Sequence, residues 1–283
     1  MKHPKKEKLM GYDYIKIYSR LSEQVYEDIL KSAQRLYMKV VGHLPNEVTV
    51  DHQLDVNLQY TSEHLIGYVD IYGRPQYNLK PELYNEYAKR TALSRIWICP
   101  TLVVNQHWVP SEKVEQQWQQ DELKYVSNYT LNYWKQYCHL NDRYIRKHKI
   151  HYPSEFTQNR LEMLHELHET GAKVVIGTDC NMPFVIPGFS IHEELSNFVK
   201  AGYSPYEVLY CATKAAAECL SNSGVSGCIK PGYRAELIII EGNPLENISN
   251  LKRLQGVLLQ DQWIMADQLN EWLRLLSRKK GTN

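Results

Sequence analysis

The 283-residue sequence lacks the features of several common structural classes. It has no apolar run of membrane-spanning length, and no signal peptide follows Met1, so neither a spanning helix nor secretion is indicated. Its six cysteines show no paired C-x-x-C spacing, which argues against a zinc ribbon or a disulfide scaffold. Because reduced thiols are typical of the cytosol, the sequence predicts a cytoplasmic protein.

The sequence also lacks an excess of charge of either sign. It contains 33 basic and 32 acidic residues, which gives a formal net charge of +1. Because this balance does not favour binding to nucleic acid or to an anionic membrane, we expect neither as a partner. A chain of this length can bury a large core, either as one α/β domain or as one domain with a small appendage.

The most informative segment of the chain is residues 173–180, KVVIGTDC. Its β-branched residues predict a buried strand that ends just before Asp179. In β/α proteins, chemistry gathers at the carboxyl ends of parallel strands, where an aspartate can bind a metal ion or accept a proton. The alternative interpretation is that Asp179 only caps a helix or lies in a loop.

Earlier in the chain, apolar segments alternate with helical patterns. The predicted strands are residues 12–19, 39–43, 60–64 and 95–104. Because strand and helix alternate, we expect a largely parallel sheet or barrel.

Residues 111–170 interrupt this alternation with two predicted helices, 118–137 and 160–170. An insertion of this size at the mouth of a barrel often forms a lid or a substrate wall, and the alternative is simple helical cover. Past residue 222 the pattern changes to predicted strands at 236–240 and 256–260 and a helix at 267–277. The predicted domains are therefore residues 1–222, which carry the insertion, and residues 223–283.

Four polar residues lie on or directly after predicted strands: Lys16, His43, His64 and Asp179. In a parallel barrel these positions converge on one mouth, and two neutral imidazoles with a carboxylate suit zinc or another divalent transition ion. A lysine among such cations is favoured as the neutral amine, which can react with carbon dioxide to form a carbamate ligand.

The alternative is that each histidine is structural, which is the more common role of a single histidine. The same structural interpretation applies to four further histidines of the chain: His107, His165, His168 and His192.

Five segments of the sequence carry a resemblance to a known family. They read IKIYSRLS, VVGHLP, SEHLIGY, WICPTLVV and VVIGTDCNMPFVIPGFSIHEEL, in this order. The chain resembles the amidohydrolase superfamily, and most closely its branch of imidazolonepropionase-like enzymes and metal-dependent Xaa-Pro dipeptidases. The tail, SGCIKPGYRAELIIIEGNPLENI, is similar to the return of that family into a small β-sandwich.

The resemblance implies a fold and a chemistry. The implied fold is an α/β, incomplete TIM-like (β/α)8 barrel, about strands 4–8, with a carboxy-terminal β segment of a composite sandwich. Lys16 corresponds to the lysine that becomes carboxylated, and His43 and His64 correspond to metal-binding histidines. Asp179 corresponds to the aspartate that binds a metal and shuttles the proton. The implied reaction is hydrolysis of an amide, peptide or cyclic amide C–N bond by a metal-activated water, with one or two zinc ions and a small amide or dipeptide substrate.

One family motif is missing from the sequence, which contains no His-x-His. In the family this motif ends the first barrel strand and binds a metal, so we expect the chain to be a fragment, with a homo-oligomer or an added amino-terminal half as its partner. The alternative is a catalytically inactive remnant, or a subunit that requires complementation by the missing half.

Overall fold

The computed structural model describes residues 3–69, 79–107, 111–148 and 156–278, which form a mixed α/β structure. The elements in chain order are α1 (His3–Leu9), β1 (Tyr14–Ile17), α2 (Glu23–Arg35), β2 (Lys39–Gly42), α3 (Val50–Val56), β3 (Thr61–Glu63), α4 (Tyr84–Leu93), β4 (Trp97–Cys99), α5 (Leu102–His107), α6 (Ser111–Gln117), α7 (Asn128–His148), α8 (Phe156–Glu169), α9 (Ser190–Lys200), α10 (Pro205–Ala212), α11 (Lys214–Cys219), β5 (Leu237–Ile240), β6 (Leu254–Leu259), β7 (Gln262–Met265) and α12 (Ala266–Arg278). Within these described ranges, no helix combines the length and the apolar character needed to cross a membrane.

The chain divides into two compact units. The first comprises Met1–Thr101 and Pro153–Ile176, and the second comprises Leu102–Tyr152 and Gly177–Asn283.

The first unit is built on parallel strand pairs in chain order. β1 pairs with β2, and β3 pairs with β4, both in parallel. Single parallel bridges extend these pairs, from Val40 to Gln59 and from Ile98 to Val174. The predicted parallel arrangement is therefore confirmed, and its strands do not form a closed barrel within the described residues.

Helix α2 shows why the local sequence folds as it does in this unit. The Ser22 side chain accepts a hydrogen bond from the backbone N–H of Val25 and so caps the helix at its start. Tyr26, Leu30 and Ala33 recur at helical spacing and are buried, which fixes the face that packs inward.

The prediction of one strand over residues 95–104 is wrong at its end. Strand β4 stops at Cys99, and the chain enters helix α5 at Leu102. Pro100 has no N–H for a ladder hydrogen bond, and Thr101 takes a positive φ of 44°, so the extended backbone ends between them.

The second unit combines helices with a three-stranded antiparallel sheet of order β5-β6-β7. Strand β7, paired with β6 in register from Gly256 opposite Met265, was not predicted. The predicted helix over residues 118–137 is also wrong in its bounds, because a 3₁₀ turn occupies Asp121–Tyr125. Ser127 then starts α7, since its Oγ accepts a hydrogen bond from the Thr130 N–H at 3.1 Å.

Candidate active site

His43 directly follows strand β2 in the first unit, and a glycine makes its position accessible. Gly42 has a φ of +115°, and a Cβ at this position would lie 2.3 Å from the carbonyl oxygen of Ile17. The backbone N–H of His43 donates to the same carbonyl at 3.2 Å. The close approach of β1 and β2 therefore requires glycine before the histidine.

His64 directly follows strand β3 and has a positive φ of 65°. Its backbone N–H donates to the carbonyl of Cys99 at 2.9 Å, which extends the pairing of β3 with β4 by one residue. A left-handed conformation in a non-glycine residue is uncommon and is concentrated at functional positions. In His64 this backbone conformation turns the imidazole away from the direction of strand β3.

The two imidazoles meet through their Nε2 atoms, which lie 3.1 Å apart. The Nδ1 atom of His43 lies 2.9 Å from the Ser19 hydroxyl, and that of His64 lies 2.5 Å from the Thr101 hydroxyl. Two nitrogens bound to one tetrahedral zinc ion at about 2.0–2.1 Å lie about 3.3 Å apart. Because a hydroxyl holds each ring at Nδ1, both Nε2 atoms face one point, and this donor set fits a divalent metal ion.

Electrostatics keep His64 in the neutral form that a metal requires. Burial, together with the smaller effects of the positive charges of Lys16 and Arg160, lowers the pKa of His64 to about 4. Arg160, on α8, is itself buried. A histidine with this pKa binds metal ions at neutral pH without first releasing a proton.

Lys16 lies on β1 beside the histidine pair. It is in register with Val41, two residues before His43, so the two-residue period of a strand puts Lys16 and His43 on one face of the sheet. The ring of Tyr18 follows the same period and lies 4.1 Å from the ring of His43, centroid to centroid. The structure thus brings Lys16, His43 and His64 together in the first unit.

Asp179 belongs to the second unit, so the four-residue ligand set stays a prediction. The loop that carries it is unusual, because Asp179, Asn181 and Phe184 all have positive φ angles, of 49°, 89° and 67°. The indole N–H of Trp134, on α7, donates to the carbonyl of Asn181 at 3.2 Å. Trp134 is buried against Phe184, and this packing holds the loop in its strained conformation.

Sequence reasoning missed the two hydroxyl residues that orient the histidines. Thr101 and Ser19 each lie two residues past the end of an observed strand, and both lie within strands predicted from the sequence, so the rule that selected His43 and His64 could have found them. Arg160 was also missed. It is remote in sequence from the two histidines, and nothing in its helical neighbourhood distinguishes it from a surface arginine.

Two further groups of side chains have ligand atoms within 4.8 Å of one another. They are His165, His168 and Glu169 near the end of α8, and Glu23, Glu27 and His52 between α2 and α3. In the second group, Glu27 already forms ion pairs with Lys31 and His52. Burial lowers the pKa of His192 in the second unit.

A buried glutamate in the second unit, Glu194, belongs to the HEEL segment quoted above. Its two carboxylate oxygens accept the backbone N–H groups of Leu102 and Val103, at 2.8 and 2.7 Å, and so cap helix α5. Burial raises the pKa of Glu194 to about 7, against the opposing effect of these two hydrogen bonds. Glu194 is a helix cap in this unit, and no local sequence signal indicates its partners.

Solved structures of other proteins share this fold. The chain is similar to a bottromycin amidohydrolase at 24% identity and a TM-score of 0.70, with 99% of this chain and 63% of that chain covered. A putative prolidase from Bifidobacterium longum is 19% identical, with a TM-score of 0.61 and coverage of 99% and 62%. A Xaa-Pro dipeptidase with bound methionine in its active site is 15% identical, with a TM-score of 0.60 and coverage of 93% and 57%.

These identities are low and show the fold alone, and the chain spans 57–63% of the length of the three structures. No curated protein matches the sequence. The model of the amidohydrolase family matches residues 113–264, which is more than half of the chain. This match confirms the family predicted from the sequence motifs: the chain belongs to the amidohydrolase family.

Proposed function

We propose that the chain carries the chemistry of a metal-dependent amidohydrolase that cleaves C–N bonds in small amides or dipeptides. The observation that supports this proposal most directly is the pair of Nε2 atoms, 3.1 Å apart, on two histidines that follow adjacent strands. The Ser19 and Thr101 hydroxyl groups bind the opposite ring nitrogens and orient the two Nε2 atoms toward each other. Family membership supports the same reaction class.

The residues that would hold the metal are Lys16, His43, His64 and Asp179, with zinc as the preferred ion. Lys16 would contribute as a carbamate formed with carbon dioxide, which changes a cation into an anionic oxygen ligand. The exposed position of the Lys16 side chain is compatible with this reaction, because carbon dioxide can reach the amine. When bound, a zinc ion supplies Lewis-acid polarisation of the scissile carbonyl and lowers the pKa of water.

The roles of the chain's own groups follow from their contacts. Ser19 and Thr101 hold the orientation of the histidine rings through Nδ1. Burial is the largest cause of the lowered pKa of His64, and it favours the neutral ring also when Lys16 is a carbamate. Asp179 takes a proton from the attacking water and passes it to the departing nitrogen.

The proposed substrate class rests on the relatives as well as on this chain. One similar structure is a Xaa-Pro dipeptidase with methionine in its active site. We extend this substrate class to the chain as part of the proposal, with a small amide or dipeptide as the partner.

The proposed architecture is an incomplete TIM-like barrel of about strands 4–8, formed by residues 1–222, with a sandwich segment formed by residues 223–283. The parallel pairs β1–β2 and β3–β4 support the barrel segment, and the antiparallel sheet of β5, β6 and β7 supports the sandwich segment. A homo-oligomer, or association with an amino-terminal half, would complete both, and we propose a cytoplasmic location.

The second candidate function is that of an inactive remnant, or of a subunit that requires complementation. Two observations favour it: the sequence contains no His-x-His motif, and the chain spans only 57–63% of the length of the similar structures described above. In this case the histidine pair would bind one metal ion, while the isolated chain would show little or no turnover.

Metal analysis of the purified chain, with and without added bicarbonate, tests the metal centre. We expect about one zinc ion per chain, held more tightly with bicarbonate, and loss of this ion in the variant His43→Ala/His64→Ala. The matched control is His107→Ala/His139→Ala, which removes two histidines of the second unit that belong to neither of the two ligand groups described above. Equal zinc uptake by the wild type and the first variant would contradict the proposal.

Turnover separates the two candidate functions. Dipeptides such as Xaa-Pro and Xaa-Arg are incubated with the zinc- and bicarbonate-loaded chain. Turnover above roughly 1 per second that disappears in Asp179→Asn supports the active enzyme. Zinc binding without turnover supports the subunit that requires complementation.

A further inference from the structure

We infer that a cavity inside the second unit is the binding site for a large apolar group that carries a carboxylate, and that this group is the amino acid released from the substrate. The cavity has a volume of about 250 Å³ and is formed by the α6–α7 region together with α5 and the loop after Asp179. Only the identification of the occupant as part of a substrate rests on the proposed function. The existence and chemistry of the binding site do not.

The walls of the cavity are mainly apolar. Val104 and Ile145 are buried side chains at this surface, and Trp118 adds an aromatic wall. The Trp118 ring is held edge to face by Phe184, with ring centroids 4.9 Å apart, so the wall is already ordered. An apolar cavity of about 150 Å³ is large enough for benzene, and this one therefore has room for an aromatic ring with a short chain.

The charges at the cavity select the polar end of the occupant. Asp142 at the cavity is paired with Arg146, and His107 at the cavity lies 2.9 Å from Glu193. Lys135 has no carboxylate partner among the residues that the structure describes, and its ammonium lies 5.6 Å from the centroid of the Trp118 ring. A carboxylate that follows an apolar group by a few bonds would therefore meet an uncompensated positive charge beside an aromatic wall.

The position of the cavity connects it to the proposed reaction. Met182 and Pro183 form part of its wall, and they belong to the loop that begins with Asp179. The same loop is fixed to α7 by the hydrogen bond from Trp134 to Asn181. A group bound in the cavity thus contacts the loop that carries the proposed proton shuttle, and the segment 111–148 acts as a specificity wall.

The test uses the full chain without added metal, so that its outcome does not depend on the metal centre or on turnover. Calorimetric titration is carried out with 3-phenylpropionate, with its uncharged analogue 3-phenylpropan-1-ol, and with propionate, which lacks the ring. We expect saturable binding of the first two compounds and no measurable binding of propionate. In Lys135→Met, 3-phenylpropionate should bind about three- to fivefold more weakly, while 3-phenylpropan-1-ol should bind as it does to the wild type.

Two substitutions that fill the cavity locate the binding site, and so does the alkylation rate of one cysteine. Ile145→Trp and Val114→Phe each place extra atoms in the cavity and should weaken binding of both aromatic compounds at least about tenfold. The second variant substitutes a half-buried residue, so the test survives if the first fails to fold. Cys138 lines the cavity, so its alkylation, followed by peptide mass spectrometry, should slow when 3-phenylpropionate is bound. Alkylation of Cys228, which does not line the cavity, should not change.

Three results would overturn the inference. These are the absence of binding to the folded wild type, equal binding to the wild type and both filled variants, and unchanged alkylation of Cys138 at saturating ligand. None of them bears on zinc uptake by the histidine pair, so failure of this site and failure of the proposed function can be told apart.

Discussion

Replacement of the buried Glu194 by glutamine should change the stability of the protein in a way that depends on pH. Glu194 is fully buried, and its two oxygens accept the N–H groups of Leu102 and Val103. In Glu194→Gln the amide oxygen can accept only one of them, while the NH₂ group opposes the other. A buried N–H without an acceptor costs about 1–3 kcal/mol, so the variant should be about 2 kcal/mol less stable at pH 5, where both side chains are neutral.

The pH dependence follows from the raised pKa of Glu194. Burial raises it from the ordinary value of 4.5 to about 7. Below pH 4.5 the folded and unfolded states both hold the proton, and between 4.5 and 7 only the folded state does. The contribution of protonated Glu194 to the stability of the fold is therefore fully present below pH 4.5 and is lost as the pH rises through 7. At about 1.4 kcal/mol per pH unit, the wild type loses about 3 kcal/mol across this window, and the glutamine variant does not.

The stability advantage of the wild type over Glu194→Gln should thus shrink with rising pH. It should reverse by about pH 8, where the variant should be about 1 kcal/mol more stable. Urea unfolding at pH 5, 6, 7 and 8 measures it. The matched control is Glu207→Gln, which alters an exposed capping box at the start of α10. It should cost about 0.5–1 kcal/mol, equally at pH 6 and pH 8. A stability difference for Glu194→Gln that stays constant from pH 5 to pH 8 would refute the reasoning.

Three further predictions test other parts of the structure. Trp134→Phe keeps the buried ring but removes the donor to the Asn181 carbonyl, and should lower stability by about 1–2 kcal/mol in thermal unfolding; an unchanged melting temperature would count against it. Gly42→Ala, with its Cβ 2.3 Å from a carbonyl oxygen, should cost more than about 3 kcal/mol, whereas Gly188→Ala, at a positive φ in open space, should cost about 1 kcal/mol. We expect the wild type to associate through exposed apolar residues of its carboxy-terminal sheet and Ile239→Lys to associate less; light scattering that shows a monodisperse wild-type monomer at all concentrations would contradict this.

The elements predicted with most success are those with a strong local signal. Residues 39–43 and 60–64 contain β-branched or alternating side chains, and the structure places strands β2 and β3 within them. The capping box at Ser204 and Glu207 was readable because both partners lie within one turn. The carboxyl ends of these strands also indicated His43 and His64, whose Nε2 atoms the structure places 3.1 Å apart.

Predictions failed where local sequence is compatible with two conformations. Residues 95–104 are rich in β-branched side chains, which suit a strand or a buried helix equally well, and only Pro100 and Thr101 divide them into β4 and α5. Strand β7 is four residues long and begins directly after a turn, so its pattern is too short to stand out.

Side-chain contacts between residues far apart in the chain could not be predicted from the sequence, because no local pattern identifies the two partners. Glu194 caps helix α5 from 92 positions away. The HEEL segment is part of the family resemblance, yet the motif does not indicate that its second glutamate caps the start of a buried helix. Because a carboxylate that accepts two buried N–H groups already has its partners, Glu194 is poorly placed to bind a metal or substrate as well. The structural contact therefore separates this glutamate from the chemistry, and leaves the histidine pair of the first unit as the metal-binding group that the geometry supports.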